Sequence, residues 1–179
     1  NEKFSLIELG FIFLVAATIL CILPSVLSPE TFYDSLLSNL GVPYKWLQHH
    51  RIYSIPYNCY SDIPYNFGLL YSIALMFSDT SLAKFINYIF FLLSSGAIFI
   101  LARKLTNRKI ALFATAFFVL TPVMVILATR TGFEMGLIFF ETLSVIAVLV
   151  FLRNKKINWL IVAGFLNGIA LGGKYTSIL

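Results

Sequence analysis

Long apolar segments separated by short polar connections make up most of the 179-residue chain. An α-helix rises 1.5 Å per residue, so about 20 apolar residues cross the roughly 30 Å of hydrocarbon in a bilayer. The pattern therefore predicts an all-α fold, a polytopic transmembrane helical bundle with about five spanning helices. The predicted spans are residues 4–27, 81–102, 110–128, 134–152 and 157 to about 177.

A polar stretch over residues 28–62 interrupts this pattern after the first span. Ser28, Pro29 and Glu30 are typical of a helix start: a capping hydroxyl, a proline at the first helical position and an acid near the positive end of the helix dipole. Gly41 is typical of a helix end. We therefore interpret residues 28–80 as a structured loop with interfacial helices, predicted at residues 29–39 and 43–50.

The apolar run over residues 64–77 leaves the topology open. As a helix it reaches only about 21 Å, which favours a helix lying in the membrane interface over one that crosses. In the first case the loop lies on the same side as the tip over residues 129–133, and in the second it lies on the other side. We expect a single membrane domain over residues 1–179. Because the chain starts without methionine and stops inside an apolar run, we expect it to be the amino-terminal part of a longer chain.

Composition and charge agree with a membrane protein. Only 12% of the residues are charged and 59% are hydrophobic, whereas soluble domains carry about 25% charged residues. The net charge of +5 does not indicate a nucleic-acid partner, because more than half of the basic residues lie in two clusters beside predicted spans. The positive-inside rule places both clusters in the cytoplasm and the tip over residues 129–133 outside it. The clusters are Arg103, Lys104, Arg108 and Lys109, and Arg153, Lys155 and Lys156.

Two acids on that outer side are candidates for chemistry. Asp34 lies in the first loop helix, close to the end of the first span, where its carboxylate would be hydrated and near lipid headgroups. Glu134 lies at the outer mouth of the next helical hairpin. Two carboxylates flanking one cavity suit acid–base chemistry, although the helix dipole also explains an acid at either helix start. Glu141, two turns deeper, is interpreted as an interhelical contact.

Lys174 and Arg130 are the outer cations best suited to a phosphate group. Lys174 follows two glycines that would let a headgroup approach the backbone, but its side chain could also snorkel to the interface. No CxxC or HExxH spacing indicates a metal site. His49 and His50 are adjacent and would point about 100° apart on a helix, so we predict no metal ligands and leave a divalent-metal requirement open.

Four segments of the chain carry a resemblance to a known family. They are FYDSLLSNLGVPYKWLQHHRI, SDIPYNFGLLYSIALMFSDTSLAKFINYIFFLLSSGAIFILARKLTNRKIALFATAFFVLTPV, ATRTGFEMGLIFFETLS and GFLNGIALGGKYTSIL. Their order resembles the amino-terminal half of the GT-C superfamily of membrane glycosyltransferases. Within it, the chain is similar to glycosyltransferase family 39, which includes dolichyl-phosphate-mannose protein mannosyltransferases and bacterial aminoarabinose transferases. In this resemblance Asp34 matches an essential acid of the first outer loop, Glu134 a second outer acid, and Lys174 a lysine late in the fifth span.

The resemblance implies an integral membrane glycosyltransferase that moves a sugar from a polyprenyl-phosphate donor to an acceptor hydroxyl or phosphate group on the extracytoplasmic side. Asp34 would be the general base, Glu134 would assist or orient the acceptor, and Lys174 and Arg130 would lie near the donor phosphate. The expected partners are membrane lipid, the lipid-linked sugar, a glycan, lipid or protein acceptor and, in a complex, other membrane proteins. The expected location is the bacterial inner membrane. Ser35 stands where protein mannosyltransferases have a second acid, so a noncatalytic subunit or a lipid-binding or transport protein of the same architecture remains the alternative.

Overall fold

The computed structural model describes residues 4–77 and 79–174, and this part of the chain is helical without any named β-strand. The all-α, polytopic fold predicted from the sequence is confirmed. A π-helical turn, Ser35–Asn39, and a 3₁₀ turn, Cys59–Asp62, lie in the first loop. The α-helices are α1 (Leu6–Leu27), α2 (Gly41–Gln48), α3 (Asn66–Met76), α4 (Thr80–Leu105), α5 (Arg108–Leu120), α6 (Pro122–Ala128), α7 (Glu134–Asn154) and α8 (Asn158–Leu171).

Helices α1, α4 and α7 are long and apolar enough to cross a membrane. The first two are capped at their starts: Ser5 and Glu8 form a capping box on α1, and Asp79 accepts hydrogen bonds from two backbone N–H groups of α4. The end of α1 and the starts of α4 and α7 meet at one end of the bundle, which we term the loop end. At the opposite end, Arg108 binds Glu8 with Nε 2.8 Å from Oε1, and Arg153 donates to the carbonyl of Lys104. Both basic clusters therefore lie at one end.

The third predicted span is broken into α5 and α6, which meet at an angle of 65°. Proline has no N–H and disfavours the α conformation in the residue before it. Thr121, just before Pro122, is accordingly extended, with φ −63° and ψ 120°. The side-chain hydroxyl of Thr121 donates to the backbone carbonyl of Phe117 at 2.6 Å. The prediction of one continuous helix over residues 110–128 is therefore wrong.

The fifth predicted span is also shorter where the structure describes it. Helix α8 has 14 residues, which corresponds to about 21 Å, and the end predicted near residue 177 lies outside the described residues. The described part thus contains three helices that pass the test for a span, or four if the bent α5–α6 pair counts as one, against the five expected.

The first loop begins differently from the prediction. Ser28 does not start a helix; it ends α1, and its hydroxyl donates to the carbonyl of Ser25 at 2.7 Å. Helical backbone begins only at Tyr33. Gly41 begins α2 instead of ending a helix, and it is a glycine for a steric reason. A Cβ atom there would lie 2.5 Å from the carbonyl oxygen of Leu36 in the preceding turn.

Helix α3 has 11 residues and a length of about 16 Å, so the prediction of a short helix that does not cross is confirmed in length. Its Phe67 is buried against α7 and the residues after α8. The rings of Phe90, Phe133 and Phe140 surround it. This aromatic cluster joins the loop to the membrane helices, and it supports the residues described next.

Candidate active site at the tip between α6 and α7

The short tip that connects α6 to α7 is held by the first loop through Thr131, which is only 1% exposed. Its backbone N–H and hydroxyl both donate to Glu30 Oε2, at 2.7 and 3.1 Å. Its carbonyl accepts from Ser35 Oγ and from Asn39 Nδ2, each at 2.8 Å. Every polar group of Thr131 is thus bonded to a residue of the loop, and the loop and tip form one unit.

Helix α3 fixes the tip from its other side. The Tyr71 hydroxyl donates to the carbonyl of Gly132 and accepts from the Gly132 N–H at 3.3 Å. Tyr71 is fully buried, and this burial raises the pKa of its hydroxyl above the usual range of tyrosine. The hydroxyl therefore stays neutral and serves as both donor and acceptor. As a result, the backbone leading to Glu134 is anchored to α3.

Asp34 lies directly before the anchored Ser35, and its side chain is exposed. Its backbone carbonyl accepts from Ser38 Oγ at 2.6 Å. Among the described residues, its carboxylate makes no hydrogen bond or ion pair. The backbone at Asp34 is thus held in place while both carboxylate oxygens stay free to accept a proton or a hydrogen bond.

Glu134, the residue after the tip, forms an ion pair with Lys174, which follows α8. Lys174 Nζ lies 3.3 Å from Glu134 Oε1, and each side chain is 37% exposed. Glu134 is the first residue of α7, and its carboxylate lies over Gly132: a Cβ atom on that glycine would be 2.6 Å from Oε2. The structure therefore pairs two residues that the sequence analysis predicted to lie on the same side of the membrane. The cation of the pair is neutralised by the acid.

Arg130 occupies a different position. Its guanidinium carbon lies 4.0 Å from the ring centroid of Phe32, and its Nε donates to the carbonyl of Ile126 at 3.3 Å. It lines a cleft of about 240 Å³ together with Glu30 and Lys84. Within the described residues no contact joins Arg130 to Lys174, so the two cations predicted for one phosphate do not meet.

An apolar groove of about 380 Å³ runs beside the turn that begins after Asp34. The groove is lined by Leu36, Leu40 and Tyr44, by Leu75 at the end of α3 and by Thr80 at the start of α4. The groove has the size and chemistry to take part of an aliphatic chain.

Two charged residues that the sequence analysis did not select are structural parts of this region. Glu30 was interpreted only as a first-turn acid, but its carboxylate binds Thr131, 101 positions away, and no local pattern reports such a contact. Lys84 Nζ donates to the carbonyls of Ser25 and Ser28 at 2.6 and 3.0 Å, and it thereby caps the end of α1. A lysine inside an apolar helix was the available signal.

The remaining candidates do not gather into a site. Within the described residues, no three His, Cys, Asp or Glu side chains are grouped as metal ligands would be. His49 packs edge-on against Tyr53 with ring centroids 5.2 Å apart. Glu141 is half-buried and makes no hydrogen bond or ion pair to the part of the chain that the structure describes, so the predicted interhelical contact is not seen there.

Comparison with known proteins gives one finding that identifies the chain. Searches of curated proteins and of solved structures return no match. A family model described as dolichyl-phosphate-mannose-protein mannosyltransferase matches residues 64–179, a region that includes Arg130, Glu134 and Lys174 and begins after Asp34. Because this match covers more than half of the sequence, the chain belongs to the dolichyl-phosphate-mannose-protein mannosyltransferase family, a family of membrane glycosyltransferases.

Proposed function

We propose that the unit formed by the first loop and the α6–α7 tip is a sugar-transfer site for a polyprenyl-phosphate-linked donor, facing the extracytoplasmic side of a bacterial inner membrane. One observation carries the proposal: the exposed carboxylate of Asp34, unpaired among the described residues, precedes Ser35, which binds the tip, and Glu134, which follows the tip, pairs with Lys174. The basic clusters at the opposite end support the proposed sidedness. Family membership supplies the general reaction, transfer of a glycosyl group.

In the proposed reaction Asp34 is the general base. It removes the proton from an acceptor hydroxyl or phosphate group while the acceptor oxygen attacks the anomeric carbon of the donor sugar. The bond from that carbon to the phosphate oxygen breaks, and polyprenyl phosphate leaves with the electron pair. The new glycosidic bond has inverted configuration. The exposure of Asp34 and the absence of a bonding partner among the described residues support this role, because the oxygens of a general base must be accessible to the acceptor.

Lys174 is the proposed contact for the donor phosphate, whose negative charge increases as the sugar departs. Lys174 Nζ pairs with the Glu134 carboxylate at 3.3 Å, so a donor phosphate would replace a carboxylate at the same cation. Glu134 would then be released beside the acceptor, where it can orient the attacking hydroxyl. The groove beside the Asp34 turn is the proposed place for the first isoprene units of the donor.

Arg130 is proposed as a second contact for the donor phosphate, and the support for it is narrower. Its charge and its position at the loop end favour the role. The Arg130 guanidinium stacks on Phe32 and does not contact Lys174. A phosphate that binds both residues would therefore have to lie between the two cations. Arg130→Gln and Lys174→Gln therefore test separate parts of the assignment: a rise in the donor KM is expected for each variant, and an unchanged KM in Arg130→Gln removes that residue from the site.

The test of the function uses the natural protein in membrane vesicles with radiolabelled polyprenyl-phosphate mannose, and it follows the movement of label from lipid to acceptor. Asp34→Asn is expected to abolish transfer without changing the amount of folded protein. Asp62→Asn is the matched control, because Asp62 is also an exposed loop acid with no bonding partner in the described structure. Wild-type turnover in Asp34→Asn would refute the assignment. Binding of polyprenyl phosphate with no transfer from any lipid-linked sugar would instead favour a noncatalytic, lipid-binding role.

A further inference from the structure

Glu30 is a nearly buried acid, 8% exposed, whose two carboxylate oxygens serve two separate segments. Oε1 accepts from the backbone N–H groups of Thr31 and Phe32, each at 2.9 Å. Oε2 accepts from the N–H and the hydroxyl of Thr131 at 2.7 and 3.1 Å. Hydrogen bonds to an ionised acceptor are stronger than neutral ones. One side chain thus organises the start of the loop and the tip at once.

The position of this clamp relative to the proposed catalytic acids is specific. Asp34 is bracketed by Glu30, four residues earlier, and by Ser35, the next residue, and both are bonded to Thr131. On the other side, Glu134 follows Thr131 by three residues. Ser35 and Asn39 hold the carbonyl of Thr131, and Glu30 holds its N–H and hydroxyl. The Glu30 bonds are therefore a second link that sets the angle between the Asp34 backbone and the backbone that carries Glu134.

The loop has other attachments that do not involve the Glu30 carboxylate. Lys84 holds the end of α1, Tyr71 holds Gly132, and the Glu30 backbone N–H donates to the hydroxyl of Thr80 at 3.2 Å. These attachments keep the loop in place without the carboxylate. The Glu30 carboxylate aligns the loop with the tip. The fold as a whole does not require this alignment.

We propose that Glu30 is a positioning residue that sets the alignment of Asp34 with Glu134 through its hydrogen bonds to Thr131. This inference rests on the proposed function, since it concerns the same reaction. Its effect is on the rate of transfer from the bound state, because displacing reacting groups by about 1 Å can cost on the order of 100-fold in rate. Donor binding at Lys174 is made by other atoms and is not affected.

Glu30→Gln is the informative variant, because glutamine has the same shape but only one accepting oxygen. If its NH₂ group faces the N–H groups of Thr31 and Phe32, donor against donor, two of the four bonds are lost; if it faces Thr131, the bond from the Thr131 N–H is lost, while the Thr131 hydroxyl can turn to accept. The expected result is a fall in kcat of about 10- to 100-fold per folded molecule, with the donor KM unchanged within about twofold. The assay is transfer from polyprenyl-phosphate mannose by the natural protein, normalised to folded protein by size-exclusion chromatography in detergent.

The matched control is Glu8→Gln, which weakens another well-bonded acid at the opposite end of the bundle, where it pairs with Arg108. It should lower the thermal midpoint and leave kcat per folded molecule unchanged. Thr131→Val provides a second test, because it removes only the hydroxyl donor to Glu30 and retains the backbone bonds. Its kcat should fall about 3- to 10-fold, from a loss near 1 kcal/mol, whereas Thr131→Ser should lie closer to wild type than Thr131→Val does.

The outcomes separate this inference from the function on which it rests. Full activity in Asp34→Asn would overturn both. An inactive Asp34→Asn together with folded Glu30→Gln at wild-type kcat would overturn the positioning role alone. If Glu30→Gln does not fold, Thr131→Val decides, and wild-type kcat in that variant would also overturn the inference. A rise in donor KM with unchanged kcat would assign Glu30 to donor binding and contradict the proposal.

Discussion

Substitution of Gly136 in α7 tests how closely α3 packs on the membrane helices. A Cβ atom at this position would lie 2.3 Å from Cε1 and 2.5 Å from Cζ of Phe67, far inside van der Waals contact. The Phe67 ring has no room to retreat, because Phe90 and Phe140 lie around it at centroid distances of 5.5 and 6.2 Å. On the α8 side, a Cβ on Gly173 would lie 2.2 Å from the same ring. Gly136→Ala must therefore displace α3 from α7.

The expected cost is an overpacking penalty of about 1–3 kcal/mol, and the confinement of Phe67 places it toward the upper end. Alanine in place of glycine inside a helix also stabilises by about 1 kcal/mol, so this contribution must be removed. Gly164→Ala in α8 does so, because no atom lies within 4 Å of the Cβ that it adds. The difference in the free energy of unfolding between the two variants is the overpacking term itself.

The measurement is reversible unfolding of the natural protein in mixed detergent micelles, followed by tryptophan fluorescence. Gly136→Ala should be less stable than Gly164→Ala by about 2–3 kcal/mol. Equal stability of the two variants, within about 0.5 kcal/mol, would refute the close approach of Phe67 to α7.

Three further predictions follow from the site. Tyr71→Phe leaves the carbonyl and N–H of Gly132 without their buried partner, so the free energy of unfolding should fall by about 1–3 kcal/mol in the same micelle assay; a smaller change than in an exposed tyrosine variant would contradict the contact. Glu134→Gln frees Lys174 from a half-exposed ion pair worth about 0.2–1 kcal/mol, so polyprenyl phosphate should bind about 1.4- to 5-fold more tightly by calorimetry, and Lys174→Gln should reverse this gain. Burial raises the pKa of Tyr65 and of Tyr71 above the value of about 10 in unfolded chains. The unfolded state therefore loses these protons first, and stability should fall above pH 10 by about 1.4 kcal/mol per pH unit for each tyrosine, which thermal midpoints between pH 8 and 11 will show.

The spanning helices were predictable because the bilayer imposes one requirement on every residue of a span. Helices α1, α4 and α7 agree with the apolar segments over residues 4–27, 81–102 and 134–152. The short α3 followed from length alone. In contrast, the break between α5 and α6 lies at Pro122. Whether a proline breaks an apolar helix depends on which groups hydrogen-bond to the backbone carbonyls that it leaves without a partner. Thr121 does so in part, because its hydroxyl donates to the carbonyl of Phe117 at 2.6 Å.

The candidate site was predicted less completely than the fold. Glu134 and Lys174 were selected by residue type and by side, and the structure pairs them. Their catalytic and phosphate-binding roles, and that of Asp34, stay predictions. Glu30 was assigned to the wrong local role, because Ser28, Pro29 and Glu30 match a helix start in sequence while the Glu30 carboxylate is bonded to Thr131. A strong tertiary hydrogen bond outweighs a cap that contributes about 1 kcal/mol.

The amino-acid sequence by itself determined the class of protein and the three long spanning helices, and it predicts the side on which the chemistry should lie. These properties follow from hydropathy, helix length and the distribution of positive charge, which act locally and add along the chain. The tertiary structure alone decided that the first loop and the α6–α7 tip are one unit, that Lys174 is neutralised by Glu134 and that Arg130 stands apart. Those outcomes depend on contacts between residues about 40 to 100 positions apart, where geometry and burial, not residue type, select the partner.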